Sequence, residues 1–383
     1  NNLLSLDFRR SGTTVAAALA FRVRFRSKFK CDMPRVITCN VFVAWGFALS
    51  VISAQPPNTD IGLTVIGGIK VGHHTLAERP TGCTVILTEA GAVAAVDIRG
   101  SSPGTREIAL LDPTNTVQHV HGIVLAGGSA FGLAAADGVM RYLEERDVGY
   151  ETQAAKVPIV PAAILYDLGV GDDPSVRPTA DCGYRAAQNA TDGPVAEGSV
   201  GAGAGATVGK LGGAQRAMKG GLGTSAIELS GGVLVAALMA VNAVGNILNP
   251  DTGATIAGVR TPDGLAFANA QTILQELSTE KQPHVNTTIG VVATNASLNK
   301  AQLALVARMA HDGLARAVQP SHTPSDGDAI FAISTGQIRS PVSLLQIGSA
   351  AANVTADAIV RGVLAATSLP GYPSVRDFQG GVR

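Results

Sequence analysis

The chain has 383 residues and carries 29 Lys and Arg against 29 Asp and Glu, a formal net charge of zero. That balance, without a basic stripe interleaved with aromatics, argues against a nucleic-acid partner held by counterion release. Hydrophobic residues make up 46% and charged residues 15%, while aromatics reach only 4% beside 45 glycines. The apolar content is therefore Ala, Val, Leu and Ile, which suits a large core of closely approaching elements.

Taken in chain order, Arg22, Arg24, Arg26, Lys28 and Lys30 lead to Met33. From there Arg35, an apolar run over residues 41–52 and the small pair Ser53-Ala54 read as a secretory signal peptide, giving a leader over residues 1–54. The apolar run is short for a membrane span, so an anchor helix is the lesser reading and a periplasmic or secreted location the main one. Residues 64–71, 84–87 and 91–98 read as strands of an antiparallel sheet, being short β-like runs punctuated by Gly and Pro. Residues 121–125 form another apolar strand that breaks at Gly127-Gly128. Ser129 is then expected to cap a helix reaching Glu145, with Phe131, Ala135, Val139 and Leu143 on one face.

A helix is predicted over residues 181–189 and a long apolar strand over 231–242. Residues 245–263 read as a connection with a turn at Asn249-Pro250-Asp251, and 266–279 as either helix or loop. A strand begins at Thr287. Asn299 with Gln302 opens a helix whose apolar face holds Leu303, Val306, Met309 and Ala310. A strand over 329–335 and a helix over 344–365 complete the chain. This order is compatible with an α/β fold of two stacked sheets with helices outside.

Several apparent motifs lack the context their chemistry needs. The Gly-rich run over residues 201–213 fails as a P-loop, because Ala204 and Leu211 stand where Gly and Ser or Thr are required. No buried strand precedes it, as a dinucleotide site would need, so it reads as a backbone-dense loop. His73 and His74 point to opposite strand faces, and His119 with His121 has no third ligand, so no metal or other cofactor is expected. Ser129 lies outside a Gly-x-Ser-x-Gly elbow. Cys83 reads as a small core residue, with a bridge to Cys182 left open.

Asn286-Thr287-Thr288 places a hydroxyl immediately before a buried strand. A cut between Asn286 and Thr287 would give Thr287 a free α-amine, which titrates near ~7.7–8.0 and can take the proton of its own hydroxyl. Read alone, the spelling is an ordinary turn entry.

Ordered blocks around that junction resemble the self-processing P1 peptidases, the group of L-aminopeptidase/D-esterases and β-peptidyl aminopeptidases. They are Gly68-Ile69-Lys70-Val71-Gly72-His73-His74-Thr75, Thr81-Gly82-Cys83-Thr84-Val85, Asp97-Ile98-Arg99-Gly100-Ser101-Ser102-Pro103-Gly104-Thr105-Arg106-Glu107 and Leu125-Ala126-Gly127-Gly128-Ser129-Ala130-Phe131-Gly132-Leu133. The Gly-rich loop, Asp326-Gly327-Asp328 and Phe331-Ala332-Ile333-Ser334-Thr335 continue the series.

The resemblance implies a four-layer αββα sandwich of the N-terminal-nucleophile type, self-cleaved into residues 55–286 and 287–383 that together form one domain. It implies Thr287 as nucleophile, Asn242 as oxyanion donor and Ser325 orienting the amine, with an acid behind it. Asp328, beside the strand, is preferred over Asp326. It also implies a homo-oligomer of processed heterodimers acting on small peptides, amides or esters, with no membrane span once the signal is removed. One departure stands out: Ala162 occupies the place of the acid that binds a substrate amine in related aminopeptidases, which makes Tyr166 and Asp167 the substitute candidates. An acyltransferase of the ornithine acetyltransferase type and a non-catalytic binding protein are the rival readings.

Export is expected to remove everything up to about Ala54. N-terminal sequencing of the extracytoplasmic protein should begin near Gln55, and retention of Phe42 and Trp45 would refute a cleaved signal.

Overall fold

A single 17-residue strand, Gly82–Ile98, organises the molecule. It is seen in a computed structural model that describes residues 62–276, 286–339 and 343–378. The principal strands are β1 (Lys70–Thr75), β2 (Gly82–Ile98), β3 (His119–Ala126), β4 (Ala162–Ile164), β5 (Gly221–Leu229), β6 (Val233–Asn242), β7 (Thr287–Ala296) and β8 (Ala329–Ile338). The principal helices are α1 (Ala135–Glu144), α2 (Ala180–Gln188), α3 (Lys300–Ala317) and α4 (Leu344–Ala365). The signal-peptide reading falls on residues 1–54, outside the described residues.

Hydrogen bonding runs in the order β5-β6-β7-β8-β2-β3-β4, with β1 also on β2. Neighbours are antiparallel except β7 with β8 and β3 with β4. The two strands expected over 84–87 and 91–98 are one strand with a register shift between Leu87 and Ala92. A bulge of this kind bends a strand and lets it change sheets. Before the shift β2 pairs with β1 and β3; beyond it Ala92 and Val93 still meet β3, and residues 93–98 pair with β8.

Burial divides along that bend into three apolar layers. Ile86, Ala94, Ile123, Leu125, Leu238, Ala240, Ile289, Val291 and Phe331 fill the space between the sheets. Met239, Val241, Val292 and Ile330 face the other way, onto Leu303, Val306 and Leu314 of α3 and Ile347, Val354 and Ile359 of α4. Val85, Leu87 and Val124 face Val139, Leu143 and Ala186 of α1 and α2. The alternation of strand side chains thus builds the four-layer αββα sandwich. Among the described residues no helix is long and apolar enough to cross a membrane.

Long-range contacts decide where local patterns fail. The strand expected over 64–71 starts only at Lys70, because Leu63–Val65 is a 3-10 turn and Gly68 adopts a left-handed φ of 84°. Ser129 does not cap a helix: it sits at φ 55° at the head of a 3-10 segment, and α1 begins at Ala135. Its N–H is drawn to Leu165 O, and the N–H of Gly128 to Asp167 Oδ1. By contrast, Asn299 and Gln302 form the expected capping box on α3. Asn249 Oδ1 accepts from the N–H groups of Asp251 and Thr252 in the expected turn. Cys83 of β2 and Cys182 of α2 are joined as a disulfide, with Cα atoms 6.3 Å apart, so the open question of their pairing closes in favour of a bridge.

Helices α1 and α2 touch backbone to backbone through Gly138 and Gly183. A methyl group at Gly183 would overlap the Ala135 carbonyl oxygen, and one at Gly138 the Ala180 carbonyl oxygen. Gly183→Ala should therefore destabilise the fold by about 1–3 kcal/mol through overpacking, measured by urea denaturation. An unchanged midpoint would mean that the helices separate freely.

Candidate active site

The register of β6 against β7 sets Asn242 opposite Thr287. Directly opposed residues of an antiparallel pair share a face. Leu238, Ala240, Ile289 and Val291 on that face line the inter-sheet core, so Asn242 and Thr287 stand at its end. Both are buried, as is Asn286.

The Asn286–Thr287 peptide is held from two directions. The Gly327 N–H donates to the Asn286 carbonyl oxygen at 3.2 Å, and the Thr287 hydroxyl lies against the same oxygen. Gly327 is required by close approach: a Cβ there would stand 3.0 Å from Thr287 Oγ1 and 2.5 Å from the Ser102 carbonyl oxygen. The turn carrying Gly327 is fastened to the end of β2, with the N–H groups of Ser102 and Arg99 donating to the carbonyls of Asp326 and Asp328, each at 2.9 Å.

The two acids of this turn have different partners. Asp328 Oδ1 accepts from the Thr288 N–H at 2.7 Å, and its Oδ2 faces His322 Nδ1 at 2.9 Å. Asp326 Oδ2 accepts from the Thr323 hydroxyl and N–H at 2.6 and 2.8 Å. Burial, then the neighbouring Asp328 charge, pushes Asp326 up to about 6. Ser325 Oγ accepts from Asn286 Nδ2 at 3.4 Å, so in the continuous chain its hydroxyl addresses the residue before Thr287.

Asn242 is held on both ends of its amide. Oδ1 accepts from the Thr207 N–H at 3.0 Å and from Lys210 Nζ at 2.8 Å, while Nδ2 donates to the Tyr166 carbonyl at 3.0 Å. Lys210 Nζ also donates to the Asn242 carbonyl at 2.9 Å. The Gly-rich loop, read from sequence as scaffold, thus delivers two polar groups to the site. A single lysine inside an apolar, glycine-dense run was the available signal for Lys210.

Asp167, a candidate for binding a substrate amine, lies at the pocket beside Tyr166 and is also tied into the protein. Its side chain forms a fully buried ion pair with Arg79 at 2.9 Å, and its oxygens also accept from Thr81 Oγ1 at 2.6 Å and the Gly128 N–H at 2.8 Å. Arg79 is held in turn by the carbonyls of Asp167, Val170 and Val176. Tyr166, Asp167, Val170, Thr207, Lys210 and Tyr372 are among the residues lining a pocket of about 70 Å³, next to Asn242 through the contacts of Tyr166, Thr207 and Lys210 with its amide. Ala162 is buried in β4. Among the described residues no group of three or more His, Cys, Asp or Glu side chains is placed to hold a metal ion.

Burial pushes the Lys210 ammonium down to about 7, against the pull of the Asp326 and Asp167 charges. An unfolded lysine keeps its proton up to ~10.4. Between these values the unfolded chain binds the extra proton, so the stability attributable to Lys210 rises with pH; below about 7 it is flat and at its lowest. Wild type should therefore gain on Lys210→Met by up to about 1.4 kcal/mol per pH unit between roughly pH 7 and pH 9. Urea unfolding of both chains measures this, and parallel pH slopes would mean that the lysine is not shifted.

The sequence matches peptidase family S58 over residues 62–376. An uncharacterized aminopeptidase of Mycobacterium bovis is 43% identical over 344 residues, covering 82% of this chain and 97% of that protein. A 6-aminohexanoate-oligomer endohydrolase of Kocuria is 32% identical over 302 residues, covering 78% and 81%. In fold, the chain is similar to the L-aminopeptidase D-Ala-esterase/amidase of Ochrobactrum anthropi, a variant of the Ntn-hydrolase fold, with a TM-score of 0.62, 20% identity and coverage of 82% and 89%. The chain belongs to peptidase family S58, and is a hydrolase of the peptidase kind.

Proposed function

We propose that the protein cuts itself between Asn286 and Thr287 and then works as an N-terminal-threonine amidohydrolase on small peptides, amides or esters. The observation that carries this reading is the buried Asn286 carbonyl, whose oxygen meets both the Thr287 hydroxyl and the Gly327 N–H. Addition of Thr287 Oγ1 to that carbonyl carbon would place negative charge on the oxygen, where Gly327 already donates. The C–N bond then breaks, the nitrogen takes up the hydroxyl proton as it leaves, and an ester joins Asn286 to Thr287 Oγ1. Water opens the ester to give the Asn286 carboxylate and a free Thr287.

In the second reaction the new α-amine, titrating near ~7.7–8.0, serves as base for its own hydroxyl. Thr207 and Lys210 both donate to Asn242 Oδ1, which fixes the amide so that Nδ2 is its donor end. The Nδ2 hydrogen that is not donated to the Tyr166 carbonyl supplies the hydrogen bond to the substrate oxyanion, and water completes acyl release. Asp328 anchors the Thr288 N–H, Asp326 is the second acid of the turn, and Ser325 becomes available to the new amine once Asn286 withdraws. Tyr166 lines the acyl pocket, and Asp167 braces it through Arg79.

Cleavage need not separate the halves. Strand β7 lies between β6 and β8, and β8 pairs with β2, so the C-terminal strands are laced into the N-terminal sheet. In this reading the paired halves associate further as a homo-oligomer, in an exported protein.

Thr287→Ala should leave one folded, inactive chain, because it removes the hydroxyl needed for both steps. Thr287→Ser should still process. Thr288→Ala should process and leave Thr287 as the new N-terminus. Intact mass with N-terminal sequencing reads all three, and a wild-type chain that never yields a fragment starting at Thr287 defeats the proposal.

A further inference from the structure

We infer that His322 is a positioning residue for Thr287, acting through Asp328; the inference rests on the role of Thr287 proposed above. Asp328 bridges two pieces of chain. One oxygen accepts from the Thr288 N–H at 2.7 Å. The other accepts from His322 twice, from Nδ1 at 2.9 Å and from the backbone N–H at 3.2 Å. Facing a carboxylate oxygen, Nδ1 must carry the hydrogen.

The Thr288 N–H belongs to the peptide plane that leaves Thr287, so its direction sets ψ of Thr287. Fixing that plane limits how the Thr287 Cα, and with it the hydroxyl, can turn relative to the Asn286 carbonyl. Near-attack geometry is sensitive to shifts of about 1 Å, so a carboxylate free to rotate would lower the fraction of productive chains. With two donors on one oxygen and one on the other, the Asp328 carboxylate has little freedom.

His322 is built for this contact. Its backbone is left-handed at φ 55°, a conformation that residues with a β-carbon disfavour, and there its own N–H and its ring meet the same oxygen. The His311 ring packs edge-on against it with centroids 4.9 Å apart. His311 is itself held through Nε2, which donates to the Asp97 carbonyl at 3.0 Å, and burial pushes its pKa down to about 4. A neutral, fixed neighbour therefore braces the ring without repelling it.

Two substitutions separate the donor from the backbone. His322→Gly keeps the left-handed conformation and loses the side-chain donor, whereas His322→Asn tolerates that conformation and puts an amide N–H near the place of Nδ1. Self-cleavage timed by intact mass should slow at least about tenfold in His322→Gly and stay within about threefold of wild type in His322→Asn. In the matured enzymes the Gly variant should lose kcat on a chromogenic amide with KM unchanged, and thermal midpoints should stay close. A His322→Gly chain cutting at the wild-type rate, or a folded His322→Asn chain as slow as the Gly variant, overturns the inference and leaves the Thr287 reading intact. A wild-type chain that is never cut removes both.

Discussion

The pairing of Asn242 with Thr287 across β6 and β7 is the constraint on which the site depends. Strand side chains alternate faces, so a slip of one residue would turn Thr287 towards the helices and bring Thr288 inward. Apolar side chains further along both strands lock the register. Leu238, Ala240, Ile289 and Val291 fill the inter-sheet layer, while Met239, Val241 and Val292 fill the layer under α3 and α4. Every residue of β7 is buried, so no face of the strand can exchange with solvent. Core packing on both sides thus sets which hydroxyl stands at the end of the sandwich.

Around this fixed pair the protein buries charge, which is unfavourable unless the charge is bonded. Arg79 and Asp167 satisfy one another and the carbonyls and N–H groups near them. Lys219 is buried with three carbonyl acceptors, those of Gly203, Ala206 and Gly220, and so braces the Gly-rich loop from beneath. Lys210 projects from that loop onto Asn242. The glycines let backbone approach closely enough for Lys219 to collect three carbonyls, and the two lysines hold the glycine-dense segment in one conformation. A water-poor, prearranged polar site is the environment in which a hydrogen bond to developing charge is worth most.

Legibility in the sequence tracks the range of the interactions. Periodic apolar runs mark β6, α3 and α4 nearly to the residue, because their burial is written in adjacent spacing, and the Asn299–Gln302 capping box is local by nature. Ser129 departs from its local reading because Asp167 and Leu165 hold the backbone there from far along the chain. The commitment of Asp167 to Arg79, 88 positions away, and of Cys83 to Cys182, 99 positions away, leaves no mark in local spelling. The family resemblance points to Thr287, Asn242 and the Asp326-Gly327-Asp328 turn, which the fold brings together. It could not say that Gly327 supplies the N–H on the Asn286 carbonyl, since a backbone donor has no side chain to recognise.

The strand order also explains why a cut at this place is compatible with the fold. A strand entering a sheet ordinarily needs its preceding chain only to reach the correct register. Here β7 has ladders on both sides, and α3 and α4 cover its outer face along with those of its neighbours. A break at the first residue of β7 would leave its ladders to β6 and β8 in place and loosen only the bridge from Asn286 to the turn at 325–328. On the proposed reading the change is local: Asn286 would be freed from the turn at 325–328, and an amine would appear beside a hydroxyl whose neighbours are already in place. On that reading folding does the positioning, and bond cleavage would only unmask a group that the sheet has already oriented.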